Sequence, residues 1–281
     1  MNMELIYEGK TKDVYKHYAP HGKLEFHFKD DATGYIDPNT GEPVFDSGYD
    51  SVVGKILGKG RVSCQFSTHI FRLLKDEVPT HYIDTISDNI MIVEPAELLN
   101  MKKTVDIEGA DDLYNLEWVY RLQNYGSLWR RHPFVKPGGS LSCLIEIYAK
   151  GRAGKPDILM RDDTILALGI MTPDELSYGK ELTKQIASLL TEEFERKGLH
   201  LIDGKIELGR RKSDGKIFLV DDISPDVLRA CRGGVFDEEG SCKVYESCIK
   251  TWVEGDRRKI LAKNLLTPDE IAEAFGLKYG D

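Results

Sequence analysis

An α+β protein in two lobes is the fold class this sequence predicts, with a small antiparallel β-rich lobe over residues 1–95 and a larger α+β lobe over 96–281. Three observations carry that expectation. Apolar residues in the first third recur mostly with period two, those near 60–77 and 172–198 recur with the helical period, and Pro95 interrupts the chain between the two patterns. A chain of 281 residues with 41% hydrophobic content buries a core sufficient for one large or two modest domains.

The elements follow in order. Residues 5–7 and 14–15 read as strands flanking the turn Glu8-Gly9-Lys10-Thr11-Lys12, and Leu24-Glu25-Phe26-His27-Phe28 alternates as a half-buried strand does. A loop rich in Asp, Gly and Pro covers 30–50. Between Gly60 and Glu77, Val62, Phe66, Ile70 and Leu73 fall on one helical stripe. Tyr82-Ile83 and Ile90-Met91-Ile92-Val93 read as strands, and Glu94-Pro95-Ala96 marks the lobe boundary because proline cannot continue a central strand. In the second lobe, strands are expected near 103–121 and 141–149. Thr172-Pro173-Asp174-Glu175 combines an N-cap, a proline at the first helical position and a reciprocal glutamate, so a helix starts there. Leu182, Ile186, Leu189, Leu190 and Phe194 carry its face to the stop at Gly198. Residues 199–202 and 217–220 read as a hairpin joined by Lys212-Ser213-Asp214-Gly215. Helices near 240–262 and 268–275, the latter capped by Thr267, close the chain.

A formal charge of −9 supplies no broad basic field, so nucleic acid is not an expected partner, and a small anionic substrate needs local cations instead. Cys64, Cys143, Cys231, Cys242 and Cys248 contain no Cys-x-x-Cys pair, which excludes a zinc ribbon or a disulfide framework and predicts reduced, structural thiols in a cytoplasmic protein. No apolar run approaches the ~20 residues that span a bilayer. Met1-Asn2-Met3-Glu4 has no signal-peptide character, so neither membrane nor secretion is expected. Composition leaves open whether the chain forms a homo-oligomer.

Three groups of residues carry chemistry. In Gly9-Lys10-Thr11-Lys12 the glycine permits a tight turn whose amides face phosphate oxygens, with two lysines supplying charge. In Asp203-Gly204-Lys205-Ile206-Glu207, alternate residues of an extended segment project Asp203, Lys205 and Glu207 to one face. Asp221, Asp222 and Asp226 end the partner strand. If the two segments pair, carboxylates converge around one lysine, and Mg²⁺ with ATP is the economical reason for tolerating them. Third, Arg121 precedes the turn Gly126-Ser127, and a guanidinium fork with a turn hydroxyl suits a phosphate monoester; Arg229 completes that pocket. Arg130 and Arg131 read as a solvated face, outside the site.

The run 5–15, the run Phe28-Lys29-Asp30-Asp31-Ala32-Thr33, the run 201–209 and the run 221–226 with Arg229 together resemble, in order, the motifs of SAICAR synthetases, the phosphoribosylaminoimidazole-succinocarboxamide synthases of purine biosynthesis. Similarity extends from about residue 4 to 232. The resemblance implies the family's two-lobed, ATP-grasp/kinase-like fold. It implies an ATP-dependent ligase that joins carboxyaminoimidazole ribonucleotide to L-aspartate through an acyl phosphate. It places Gly9, Lys10, Lys12 and Val93 on ATP, Glu207 and Asp221 on Mg²⁺, Arg121, Ser127 and Arg229 on the ribonucleotide phosphate, and Lys205 and Asp203 at the reacting carboxylate.

The sequence departs from the family in three places. Ser63-Cys64 stand where paired asparagines are usual, Asn124-Tyr125 replace Ala-Ala before Gly126-Ser127, and Arg152 and Lys155 align with two acidic loop positions. Reversed charge in that loop makes a paralogue acting on a related ribonucleotide or another amino acid the alternative expectation. A small-molecule kinase is a weaker rival, because the chain has no His-Arg-Asp or Asp-Phe-Gly element.

Overall fold

The computed structural model describes residues 4–17, 22–45, 51–100, 115–132, 134–135, 138–150, 157–232 and 266–278. The expected strands near 103–114 and the helix near 240–262 lie outside the described residues, as do Arg152, Lys155, Cys242 and Cys248.

The first lobe is built on a five-stranded antiparallel sheet. Its strands are β1 (Leu5–Glu8), β2 (Lys12–His17), β3 (Lys23–Phe28), β7 (Tyr82–Ser87) and β8 (Ile90–Val93), in the order β1-β2-β3-β8-β7. Where the sequence reads as loop over 30–50, β4 (Asp31–Ile36) and β5 (Pro43–Phe45) instead form a three-stranded sheet with the following β6 (Ser51–Lys55). Glycines and prolines hid it: Pro43 sits on an edge strand, where no amide donor is needed. Helix α1 (Lys59–Leu74) packs Val62, Phe66, Ile70, Phe71 and Leu74 inward, all at 0% exposure. The expected Leu73 is only half buried, displaced by Leu74 because the helix drifts about the stripe at 3.6 residues per turn.

The second lobe is a seven-stranded sheet of β9 (Ala96–Leu98), β10 (Leu116–Gln123), β11 (Ser140–Ala149), β12 (Ile158–Met160), β13 (Leu199–Arg211), β14 (Ile217–Val220) and β15 (Leu228–Arg232). Strand β13 is its hub. The strand read at 199–202 and the extended segment read at 203–207 are one continuous strand of 13 residues. One edge of β13 holds β10 and β9, the other β15 and β14. Its alternation divides labour: Gly204, Ile206 and Leu208 are buried toward the core, while Asp203, Lys205 and Glu207 face the opposite side.

Short helices α2 (Gly126–Arg131) and α3 (Asp162–Ala167) precede the long α4 (Pro173–Arg196), which covers the core face of β10 and β13. Thr172 caps α4 reciprocally with Glu175, as the sequence predicts, and Gly198 ends it with φ 68°. The Glu175 carboxylate also accepts two bonds from Arg210 at 2.6 and 2.9 Å, tying the start of the helix to β13. Thr172→Ala is expected to cost about 1 kcal/mol, seen calorimetrically as a drop in Tm of about 2–4 °C. A second capping box at Thr267 opens α5 (Pro268–Ala274), the expected final helix. Cys64, Cys143 and Cys231 are free thiols, and among the described residues no helix is long and apolar enough to cross a membrane.

Candidate active site

The site face of the large sheet is set by register. Glu117, Val119 and Arg121 of β10 stand opposite Glu207, Lys205 and Asp203 of β13, and on the other side opposite Tyr148, Glu146 and Leu144 of β11. Because directly paired residues share a face, three strands deliver their polar side chains to one surface. Trp118 and Tyr120, the intervening residues of β10, are fully buried behind it.

Two clusters form on that surface. In the first, Lys205 Nζ lies 3.2 Å from Glu117 and 3.3 Å from Glu207, and Lys150 approaches Glu117 at 3.5 Å. Lys12 reaches in from the small lobe, 2.6 Å from Asp221 and also bonded to Asp222. Four carboxylates thus face three lysines. Burial opposes charge on both Lys12 and Lys205, but the neighbouring carboxylates outweigh it and hold both ammonium groups above their ordinary range. Asp221 is held below the usual carboxylate range, since Lys12 and Lys205 overcome its desolvation. Glu207 goes the other way: burial and the charge of Asp221 push it up to about 7 despite Lys205.

The Gly9 turn positions Lys12. Gly9 N donates to Lys12 O at 3.1 Å, and a Cβ on Gly9 would stand 2.3 Å from that carbonyl oxygen, so the hairpin excludes any larger residue. Lys10 is exposed at the turn. Val93 is not at this cluster: its side chain is 1% exposed in the core, and β3 separates its strand from β2. Another cross-lobe pair, Lys59 with Asp226 at 2.6 Å, joins the first residue of α1 to the turn after β14. His81 also crosses between lobes, donating from Nε2 to the Asp221 carbonyl at 2.8 Å. Burial pushes its imidazole down to about 4, so the ring is neutral near pH 7.

The second cluster is a chain of alternating charge. Arg121 donates through Nε to Glu146 at 2.5 Å, through Nη1 to Asp203 at 3.1 Å and through Nη2 to Ser127 at 2.8 Å. Arg229 holds Asp203 from the other side at 2.6 Å, and Arg131 bonds the second oxygen of Glu146. Gly126 has φ 57°, and a Cβ there would lie 2.5 Å from Arg229 Nη1, so both the turn and the guanidinium require glycine. Burial opposes ionisation of Glu146, yet Arg121 and Arg131 hold its carboxyl below the usual range.

The structure therefore brings Lys12, Lys205, Glu207 and Asp221 together, and separately brings Arg121, Ser127 and Arg229 together. Asp203, expected beside Lys205 at the reacting carboxylate, belongs to the arginine cluster, because the two guanidinium groups occupy both its oxygens. Arg131, read as solvated, is bonded to Glu146 at one-third exposure. Glu117, Glu146 and Tyr148 were missed, although the signal was available: each stands an even number of residues from a recognised or neighbouring polar position on a period-two strand. Lys150 continues that spacing two residues past Tyr148, whereas His81 and Lys59 carry no comparable signal.

Two lobes meeting over lysines and paired carboxylates, with a guanidinium pocket alongside, define an enzyme whose substrates are anions. The sequence model of the SAICAR synthetase family matches residues 5–255. A phosphoribosylaminoimidazole-succinocarboxamide synthase of Clostridium tetani is 34% identical over 239 residues, covering 84% of this chain and 96% of its own. A SAICAR synthetase solved in complex with ADP superposes with a TM-score of 0.66 at 26% identity over 100% of both chains. The phosphoribosylaminoimidazole-succinocarboxamide synthase from Ehrlichia chaffeensis shares the fold with a TM-score of 0.68 at 22% identity, covering 97% of this chain and 98% of its own. The chain belongs to the SAICAR synthetase family.

Proposed function

We propose that this enzyme condenses carboxyaminoimidazole ribonucleotide with L-aspartate at the expense of ATP, forming SAICAR, ADP and phosphate. The observation that carries the reading is the adjacency of the two clusters on one sheet face, Arg121 opposite Asp203 and Glu117 opposite Glu207 in a single β10–β13 register. That register puts the residues proposed for anion binding two to four positions along the same strands from those proposed for phosphoryl chemistry.

A carboxylate is a poor acyl donor until its oxygen is phosphorylated. The γ-phosphoryl group passes to it as a P–O bond forms and the bridging P–O bond to ADP breaks. The amine then attacks the acyl carbon, phosphate leaves and the amine gives up its proton. Lys12 and Lys205 neutralise charge on the transferred group, and positioning with electrostatics supplies most of the catalysis. No enzyme nucleophile is required. Arg121, Ser127 and Arg229 hold the ribonucleotide phosphate, with Asp203 and Glu146 aiming the guanidinium groups.

Glu207 and Asp221 would hold Mg²⁺. The fit rests on the donor set: Glu207 and Asp221 bring two carboxylates to the cluster that Lys205 and Lys12 enter, and there burial and the Asp221 charge push Glu207 up to about 7. Among the described residues no three His, Cys, Asp or Glu converge as a metal cage. Mg²⁺ commonly takes one or two carboxylates and draws its remaining ligands from phosphate and water, which suits this pair. When bound, the ion supplies charge neutralisation to phosphate oxygens. We further divide the chain at Pro95 into a nucleotide lobe, 1–95, and a lobe 96–281 carrying metal and ribonucleotide residues, since β9 joins the large sheet immediately after that proline.

The test is a product assay with ATP, carboxyaminoimidazole ribonucleotide and L-aspartate. SAICAR, ADP and phosphate in equal amounts are expected. ATP turnover only with a different amine or ribonucleotide would replace this reading with the paralogous ligase. A phosphorylated end product without amide would make the protein a kinase.

A further inference from the structure

Asp221 and Asp222 are consecutive, yet both carboxylates reach the same Lys12 Nζ. In an extended strand, successive side chains point to opposite faces, so a continuation of β14 could not present both to one cation. Asp221 resolves this by adopting φ 65°, one of only two positive-φ non-glycine residues among those described. That conformation crowds the Cβ of an L-residue against its own backbone and persists only where the surroundings hold it.

What holds it is the segment before β7. Leu219 N donates to Pro79 O at 2.9 Å and His81 N donates to Leu219 O at 2.9 Å, so residues 79–81 lie alongside the end of β14. His81 then donates from Nε2 to the Asp221 carbonyl at 2.8 Å. A carbonyl can only accept, so this bond fixes the ring as the Nε2–H tautomer. The imidazole has no freedom to turn away: it is 2% exposed, with the Phe26 and Phe71 rings each 5.5 Å from it, and its own carbonyl accepts from Glu94 N at 2.7 Å.

We propose that His81 is a positioning residue of the catalytic centre, whose Nε2–H donor holds Asp221 in the left-handed conformation that turns two consecutive carboxylates toward one cationic site. It touches neither substrate nor reacting atoms and acts through the Asp221 backbone. The inference rests on the proposed nucleotide site, though not on which amine or ribonucleotide the enzyme uses.

The experiment compares wild type, His81→Gln and His81→Leu. Glutamine keeps an amide donor at the reach of Nε2, and leucine removes it at similar volume. Calorimetric titration with ADP, in Mn²⁺ and then in chelator, is the primary readout. The leucine variant is expected to lose about tenfold or more of the metal-dependent part of ADP affinity, with affinity in chelator unchanged, while the glutamine variant stays within about threefold of wild type (~1.4 kcal/mol per tenfold step). Equal losses in both variants would reduce His81 to a packing residue and overturn the proposal, as would a leucine variant that binds ADP with wild-type metal dependence. Should the leucine variant not fold, ¹⁵N NMR of wild-type histidines decides: an Nε2-protonated neutral ring at His81 supports the proposal and an Nδ1-protonated ring overturns it. If the metal dependence moves as expected while the SAICAR assay yields no product, the positioning role stands and the ligase reading falls.

Discussion

Replacing Lys205 by methionine is expected to lower turnover by about 10³-fold, the magnitude of a lost electrostatic stabiliser in a water-poor site. The ammonium lies between Glu117 and Glu207, which stand directly opposite each other in the β10–β13 register. Without it, the buried Glu117 carboxylate and the part-buried Glu207 carboxylate face each other and one takes up a proton to relieve the repulsion. The site then loses a cation and gains a neutral carboxyl where charge on the transferred phosphoryl group must be met. Stability falls as well, so the double variant Lys205→Met with Glu117→Gln is the control. It is expected to recover most of the lost Tm and none of the lost kcat. A single variant that turns over within tenfold of wild type would remove Lys205 from the reaction.

Arg121→Met is expected to produce the largest combined effect on binding and stability. Arg121 is 3% exposed and is shared by two buried carboxylates, Asp203 at 3% and Glu146 at 8%. Breaking a buried pair from one side leaves an uncompensated charge and costs about 3–5 kcal/mol. Arg229 and Arg131 still hold the outer oxygens, which puts the expected loss at the lower end of that range. The same substitution removes the guanidinium that bonds Ser127, so KM for the ribonucleotide should rise by about 10²-fold (~3 kcal/mol) with KM for ATP little changed. Denaturant unfolding and steady-state kinetics with each substrate varied separate the two consequences. Adding Glu146→Gln should return part of the stability and none of the affinity. An unchanged ribonucleotide KM would place the phosphate elsewhere.

Much of this site was readable before any coordinate. Period two along Asp203, Lys205 and Glu207 placed three polar residues on one face, and the structure shows them there. The capping signals at Thr172 and Thr267 located two helix starts, because a cap is a contact between residues three apart. The same reasoning went wrong where a local rule met a non-local partner. Arg130-Arg131 read as a solvated pair, but Glu146 on β11 reaches Arg131 from outside its local segment. Asp203 shares a face with Lys205, as its spacing predicts, but register with β10 and β15 sets its carboxylate between Arg121 and Arg229. The small three-stranded sheet was hidden by composition, since its glycines and prolines are compatible with both a loop and short edge strands.

By itself the sequence determined which residue types occur, at what spacing and on which face of each strand, and this was enough to predict a two-lobed α+β fold and to nominate residues for phosphate and metal. Only the tertiary structure decided which charges neutralise which. Lys12 meets Asp221 and Asp222 across more than two hundred residues, and His81 meets Asp221 across 140. Coulombic attraction and hydrogen bonding act over a few ångströms of space whatever the separation along the chain, so their pairings are set by sheet register and lobe contact, which local periodicity does not encode.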